Sequence, residues 1–321
     1  MALSDLAVYS EYAYSSMTEV LRQKIDLFNA ATGGAIQLRA AAHQGDYSDV
    51  AFFAKISGLV RRRNAYGSGA VASKTLAQLV DTMVKVAAGT APVSLDPSQF
   101  KWIQMNPETA GAALGQQLAK DAVADMLNTS IMSAKAALSG VAAVNYDGTS
   151  DTPDTLNLVM LNKGAAKFGD MSSEIRAWVM HSTPFTDLTN TNLANSSQLF
   201  NYGTVNVLGD HVGRRFIVTD CSSLFTAGSP NLAYVLGLVP GAIVVEQNND
   251  FTDNYETTNG DENILRTYQA EWSYNLGVKG FAWDKAHGGK SPNDAALATQ
   301  TNWDKIVTSH KDLAGVMISC N

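Results

Sequence analysis

Two short runs hold the residue types that nucleophilic chemistry needs. Asp210-His211 and Asp220-Cys221-Ser222 place an imidazole, a thiol and two carboxylates within a dozen residues. A Cys–His pair works only when the two side chains lie side by side, so that the imidazole takes the thiol proton. Spacing alone does not establish that. The same residues also read as a strand exit, Val218-Thr219-Asp220, followed by a Ser-Ser turn whose side chains bond nearby backbone. Nothing else in the run requires a reaction centre.

Other chemistry-bearing patterns fail on their context. Gly67-Ser68-Gly69-Ala70-Val71-Ala72 matches a relaxed dinucleotide fingerprint, which requires a strand before it and a helix opening on it. Arg61 to Tyr66 makes a poor buried strand, so a loop tip is expected instead. Ser73-Lys74-Thr75 ends like a phosphate loop, but Ser68 and Ser73 stand where both glycines are required. The five histidines (His43, His181, His211, His287 and His310) include no pair four apart on a helix, and the two cysteines, Cys221 and Cys320, form no CxxC. No catalytic residue, metal or cofactor is therefore expected. His181, after a buried-looking strand, is expected to satisfy a helix or loop group. Arg61-Arg62-Arg63, with Tyr66 close by, reads as a basic tip that either meets nucleic acid or an acidic neighbour, or simply lies in solvent.

The elements that carry these residues are legible from periodicity. Ser16-Met17-Thr18-Glu19 opens a helical pattern that ends near Gly33-Gly34. From Asp46 to Leu95, apolar segments flank the basic, glycine-rich tip, which predicts a long hairpin-like excursion. Asn106-Pro107-Glu108 supplies a cap, an N1 proline and a first-turn acid for the longest helix, which runs to Ser139. Its stripe of Leu114, Leu118, Met126, Ile131 and Leu138 is expected to pack on strands after Pro240. At about 33 residues it would span roughly 50 Å.

Beyond it, Asp154 is the expected cap of a helix carrying Lys163 and Lys167, closed by a left-handed Gly169. Ile175 to Met180 reads as a buried strand, and Thr183-Pro184 as the start of a further helix. Strands are expected at Gly213 to Asp220, Leu232 to Leu238, Ala242 to Glu246, Ile264 to Tyr274, Val278 to Trp283 and Gly315 to Ser319, with a short helix at Ser291 to Ala298. The last strand is expected to return onto the long helix. Phe52, Phe53, Trp102, Tyr268, Trp272 and Trp283 are assigned to core.

Composition sets bounds. The 321 residues are 45% hydrophobic and 17% charged, enough for two or more packed units. A formal net charge of −7 excludes an ordinary basic nucleic-acid binder. The N-terminus has no basic stretch leading into an apolar run, and no window approaches the ~20 apolar residues of a membrane span. No repeat of 20–50 residues is visible. A protein made in the cytoplasm, outside any membrane, is expected.

The Ala-rich long helix, Phe168-Gly169-Asp170, Val179-Met180-His181-Ser182 and the strand from Gly213 to Asp220 occur in the order seen in the major capsid proteins of tailed bacteriophages. From about Asp46 onward the chain resembles that family, whose fold is the α+β Hong Kong 97-like capsid fold. The resemblance implies an N-terminal arm (1–45), an extended loop (46–95), a peripheral domain with the spine helix (96–150), an axial domain (151–240) and a return through both domains (241–321). It also implies hexamers and pentamers closing an icosahedral shell around double-stranded DNA, with portal and decoration proteins, in virions assembled in the host cytoplasm. Arg61, Arg62, Arg63 and Tyr66 would then contact a neighbouring subunit, the guanidinium forks meeting carboxylates. Residues before Asp46 are too few for an independent scaffold domain, so a separate scaffolding protein is expected. The rivals are an encapsulin-type nanocompartment shell and a cytosolic hydrolase using Cys221 or His211.

Overall fold

The computed structural model describes residues 3–40, 45–53, 60–75, 78–94, 105–192, 196–202, 205–210, 215–259 and 265–321. His43, Trp102, His211 and Gly213 lie outside them. Two helices form its spine. Helix α1 (Leu3–Ala31) lies along α2 (Pro107–Ser139), which is continuous over 33 residues. Tyr9, Ala13, Met17, Leu21 and Phe28 give α1 a buried stripe at helical spacing.

The contact is close because α2 presents glycine. A Cβ at Gly111 would lie 2.5 Å from the Tyr9 carbonyl oxygen, and one at Gly115 would lie 2.3 Å from that of Ala13. The leading segment is therefore corrected. Its helix starts at Leu3 rather than at Ser16, and it packs on its own chain. Its first turns looked unremarkable in sequence because their partner is a pair of glycines far along the chain. The α2 stripe meets strands after Pro240 as expected, and α1 as well. Pro107 takes N1, whereas Asn106 makes no side-chain cap bond.

Nine described strands form one sheet. Strand β1 (Ile36–Ala40) runs parallel to β12 (Ile243–Gln247), which pairs with the long central β14 (Leu265–Val278). On β14 also lie β3 (Gln78–Gly89), β4 (Val93–Ser94) and β13 (Thr252–Thr258), while β2 (Tyr47–Phe53) pairs with β3. Strand β14 turns at Lys279-Gly280 into β15 (Phe281–Trp283), which joins β16 (Trp303–Lys305). Gly277 does not break β14, contrary to expectation. A Cβ there would lie 2.7 Å from Met83 Cγ, so its glycine serves packing. Gly280, at φ +83°, makes the turn.

The second sheet has eight described strands in the order β5 (Asn145–Asp147), β17 (Gly315–Cys320), β11 (Leu232–Leu238), β6 (Ala177–Met180), β9 (Arg215–Thr219), β8 (Val205–Asp210) and β7 (Ser196–Tyr202), with β10 (Phe225–Thr226) on β11. The final strand thus lies inside this sheet, between β5 and β11, with α2 against it. Strand β5, just after α2, already belongs to this second sheet.

Helix α3 (Leu158–Ala166) is capped by Asn157, whose side chain accepts from Met160 N at 2.9 Å. Asp154 does not cap it; instead it accepts from the Asn321 side chain at 3.1 Å. Gly169 is left-handed as predicted, at φ +62°. Helix α4 (Ser182–Asn192) starts before Thr183-Pro184, so the proline sits within its first turn. The short α5 (Asp294–Leu297) is capped by Asn293.

The α1–α2 contact gives a test with a reversed sign. In a free helix Gly115→Ala would stabilise by about 1 kcal/mol. Here the methyl meets the Ala13 carbonyl, and a net loss of about 1–3 kcal/mol is expected in urea denaturation. A gain in stability would show that α1 does not press on α2.

Candidate intersubunit contact site

The excursion between β2 and β3 is built as a ribbon clamped at its root. The strands pair from Tyr47↔Val84 to Phe53↔Gln78, but β3 pairs with β14 only from Val84 to Gly89. Residues 47–53 and 78–83 therefore leave the edge of the sheet as two strands. Asp49 accepts from Thr82 Oγ1 at 2.8 Å and pairs with Lys285 at 2.5 Å, and Lys285 also sits 5.0 Å above the Tyr47 ring. Lys290 pairs with Asp46 at 2.9 Å. These clamps join residues far apart in sequence, and no local pattern announces them.

The tip has no such anchorage. Residues 60–75 are exposed throughout and form neither helix nor strand. Asn64 organises a small turn, its Oδ1 accepting from Tyr66 N at 3.0 Å and its carbonyl from Gly67 N at 3.3 Å. Tyr66 is 99% exposed, and among the described residues Arg61, Arg62 and Arg63 form no ion pair. Gly67 to Ala72 thus lacks both flanking elements of a dinucleotide site. Val50, Phe53, Val60, Tyr66, Val71 and Val80 make up half of the exposed large apolar side chains among the described residues. So dense a collection on one ribbon marks a surface meant to be covered.

One group on this ribbon was not anticipated. The Oδ1 of Asp81, on β3 opposite Val50, is buried without a hydrogen-bond partner. Burial pushes its carboxyl up to about 6.

Of the nucleophile constellation, His211 lies outside the described residues, and Cys221 is engaged elsewhere. The Cys221 thiol donates to the Asn128 carbonyl at 3.7 Å and lies 3.1 Å from Ser223 Oγ. His181 is the cap that α4 needs: its Nδ1 accepts from Thr183 N at 3.2 Å, which leaves Nε2 to carry the proton, 3.5 Å from Asp220 Oδ1. Its ring stacks on Phe225 at 4.8 Å. His181 therefore satisfies a helix terminus, as expected. Among the described residues no three metal-ligating side chains cluster, and no helix is long and apolar enough to cross a membrane.

A clamped ribbon with a bare, basic and apolar tip belongs to a chain built to meet other chains. The sequence matches the family model Gp13-like, Major capsid protein 13-like, over residues 5–317. The chain belongs to this major capsid protein family. The reading as a major capsid protein stands with that match. Among solved structures, this capsid protein is similar to the cyanophage Pam1 capsid asymmetric unit, at 10% identity, 89% of this chain and 88% of that one, and TM-score 0.48. It is similar to the capsid of Ralstonia phage GP4, at 13% identity, 89% and 87% coverage, and TM-score 0.48. It is also similar to the holo-SrpI encapsulin complex from Synechococcus elongatus PCC 7942, at 10% identity, 88% and 84% coverage, and TM-score 0.49. No curated protein matches the capsid protein's sequence.

Asp81 makes the ribbon's stability depend on pH. Between about pH 4 and 6 the unfolded carboxyl has ionised while the folded one keeps its proton, so the native state binds more protons and stability falls as pH rises. Asp81→Asn is expected to flatten that slope and to stabilise the subunit above pH 6, on the order of 1–2 kcal/mol after allowing for partial exposure. Denaturation midpoints across this window read the effect. An unchanged slope would mean that Asp81 ionises freely.

Proposed function

We propose that this capsid protein forms the icosahedral head of a tailed phage, as hexamers and pentamers around double-stranded DNA, with Arg61, Arg62, Arg63 and Tyr66 laid on a neighbouring subunit. The observation that carries the contact is the ribbon itself, clamped by ion pairs at Asp46 and Asp49 and bare beyond them. Its exposed apolar groups supply a hydrophobic driving force for association, and its unpaired guanidinium groups supply direction. The protein acts by assembly and has no turnover. A net charge of −7 suits a wall that encloses DNA without gripping it, because gripping takes dense Lys/Arg and counterion release.

Identical interfaces can close in more than one symmetric way, so a single head size needs outside control of curvature. We assign that control to a separate scaffolding protein, with portal and decoration proteins completing the head, assembled in the host cytoplasm and kept in the virion. Electron microscopy of the capsid protein expressed alone should show sheets, tubes or mixed-size particles, and co-expression with the scaffold should give one size. Uniform shells from the capsid protein alone would remove the scaffold from this reading. Shells that enclose an enzyme in place of DNA would favour a nanocompartment.

Trypsin tests the contact directly, since Arg61 to Arg63 are its own cleavage sites. Free subunits should be cut there quickly, and assembled shells should resist. Equal cutting in both states would show that the tip touches no neighbour.

A further inference from the structure

Asp81 stands where the ribbon leaves the sheet. Three residues on, Val84 begins the ladder that fastens β3 to β14, whereas residues 78–83 pair with β2 alone. Val50 lies opposite Asp81, and Met83 follows it on the same face of β3. The carboxyl's Oδ1 is buried there with no donor.

The charged groups around this root are engaged with one another. Asp49 of β2 pairs with Lys285, and Asp46, just before β2, pairs with Lys290. Lys85, on the same face of β3 as Asp81, pairs with Asp250. Asp284 and His287 bind each other in the turn after β15, and Lys279, after β14, is exposed. Strand β15 itself brings only Phe281, Ala282 and Trp283. Burial alone, with no cation to answer it, raises the Asp81 carboxyl.

Such a carboxyl can ionise in place, without water, or the structure around it can open and admit water. The second route is open here. Parting residues 47–53 from 78–83 breaks no bond to β14 and leaves the packed body whole. Resting on the shell reading above, we propose that Asp81 is a proton-operated latch at the root of the ribbon. With its proton the root closes; without it the root opens and water reaches the carboxylate. The ribbon keeps one angle to the body only while its root is closed, so assembly selects the protonated form and takes up a proton.

The sign follows from linkage. The closed root holds the proton more tightly than the open one, so opening gains as pH rises from about 4 to 6 and levels off above. The gap between this carboxyl and an ordinary one allows up to about a hundredfold change in the open-to-closed ratio. Ion pairs to carboxylates weaken as pH falls, so the clamps at Asp46 and Asp49 would give the opposite sign.

Amide hydrogen exchange of free subunits, corrected for its intrinsic pH dependence, reads the root at residues 78–83. From about pH 4.5 to 7 the opening ratio should rise roughly ten- to a hundredfold in the wild type and stay level in Asp81→Asn. Asp81→Leu, with neither charge nor amide, is the second variant, and thermal melts check that both fold. The subunit concentration for half-assembly should rise about tenfold over the same range in the wild type and in neither variant. A level wild type, or an equal rise in the folded variants, would overturn the latch. An assembly concentration with the same pH dependence in all three proteins would overturn its link to assembly. Wild-type subunits that never assemble would overturn the shell reading, and hydrogen exchange would still judge the latch.

Discussion

The structure depends on how closely α1 approaches α2. At Gly111 and Gly115 the helix backbones meet with no side chain between them, and the buried stripe from Tyr9 to Phe28 follows from that approach. The position of α1 then sets its C-terminal end, where Gly33 and Gly34, both at positive φ, turn the chain into β1. The Asn29 side chain donates to the Leu38 carbonyl at 2.7 Å and accepts from Leu38 N at 2.9 Å, so the helix end also covers the outer edge of β1. Arg215, at the start of β9, donates to the carbonyls of Ala30 and Ala31 at 2.7 and 2.8 Å. A guanidinium on the last carbonyls of a helix satisfies orphan acceptors and the negative end of the dipole together. One helix end thereby ties the two sheets to each other.

Against this packed body the ribbon is held by different forces. Its root rests on ion pairs between partly exposed groups, a class worth about 0–1 kcal/mol each. Among the described residues its outer half has no buried apolar side chain and exposes Phe53, Val60 and Tyr66. Such an element keeps its attachment but gains little energy from any one direction on its own chain. Burial against a neighbour is the larger gain, at about 25 cal/mol per Å² of apolar surface. Family membership and the ribbon's chemistry point the same way without relying on one another.

Local signals made much of the fold legible. The 33 residues of α2, the buried strand before His181, the span of β11 and the left-handed Gly169 follow from periodicity, propensity and turn chemistry that act within a few residues. What stayed hidden depends on distant partners. Gly111 and Gly115 read as helix weakeners until α1 lies on them. Gly277 reads as a strand end until Met83 fills the space beside it. Asp154 and Asn157 are both good caps by type, and only the path of the C-terminal Asn321 takes Asp154 away. The basic tip was visible as a contact candidate because a loop advertises its composition. Its clamps, Lys285 and Lys290, were not, since an ion pair across more than two hundred residues leaves no periodic trace.

The direction of the ribbon is set deeper still, in the polar interior beside β14. Asn248 and Asn275 exchange amide hydrogen bonds at 3.1 and 3.3 Å, Asn248 also donates to Ser273 Oγ at 2.9 Å, and Asp250 accepts from Ser273 N at 2.8 Å and pairs with Lys85 of β3 at 3.5 Å. Asn275 is fully buried and faces Lys85 in the β3 register. Sliding β12 by one residue along β14 would leave these amides unpaired, at about 1–3 kcal/mol for each buried group, and sliding β3 would turn Lys85 to the opposite face, away from Asp250. Five strands take their register from β14. The network therefore fixes where β3 runs beyond the sheet, which fixes the point and angle at which the ribbon leaves the body. A shell made of identical subunits needs that angle to be the same in every copy, and the Lys85–Asp250 pair, seated on the buried amide network, favours one register of β3 where a purely apolar seam would tolerate a slip.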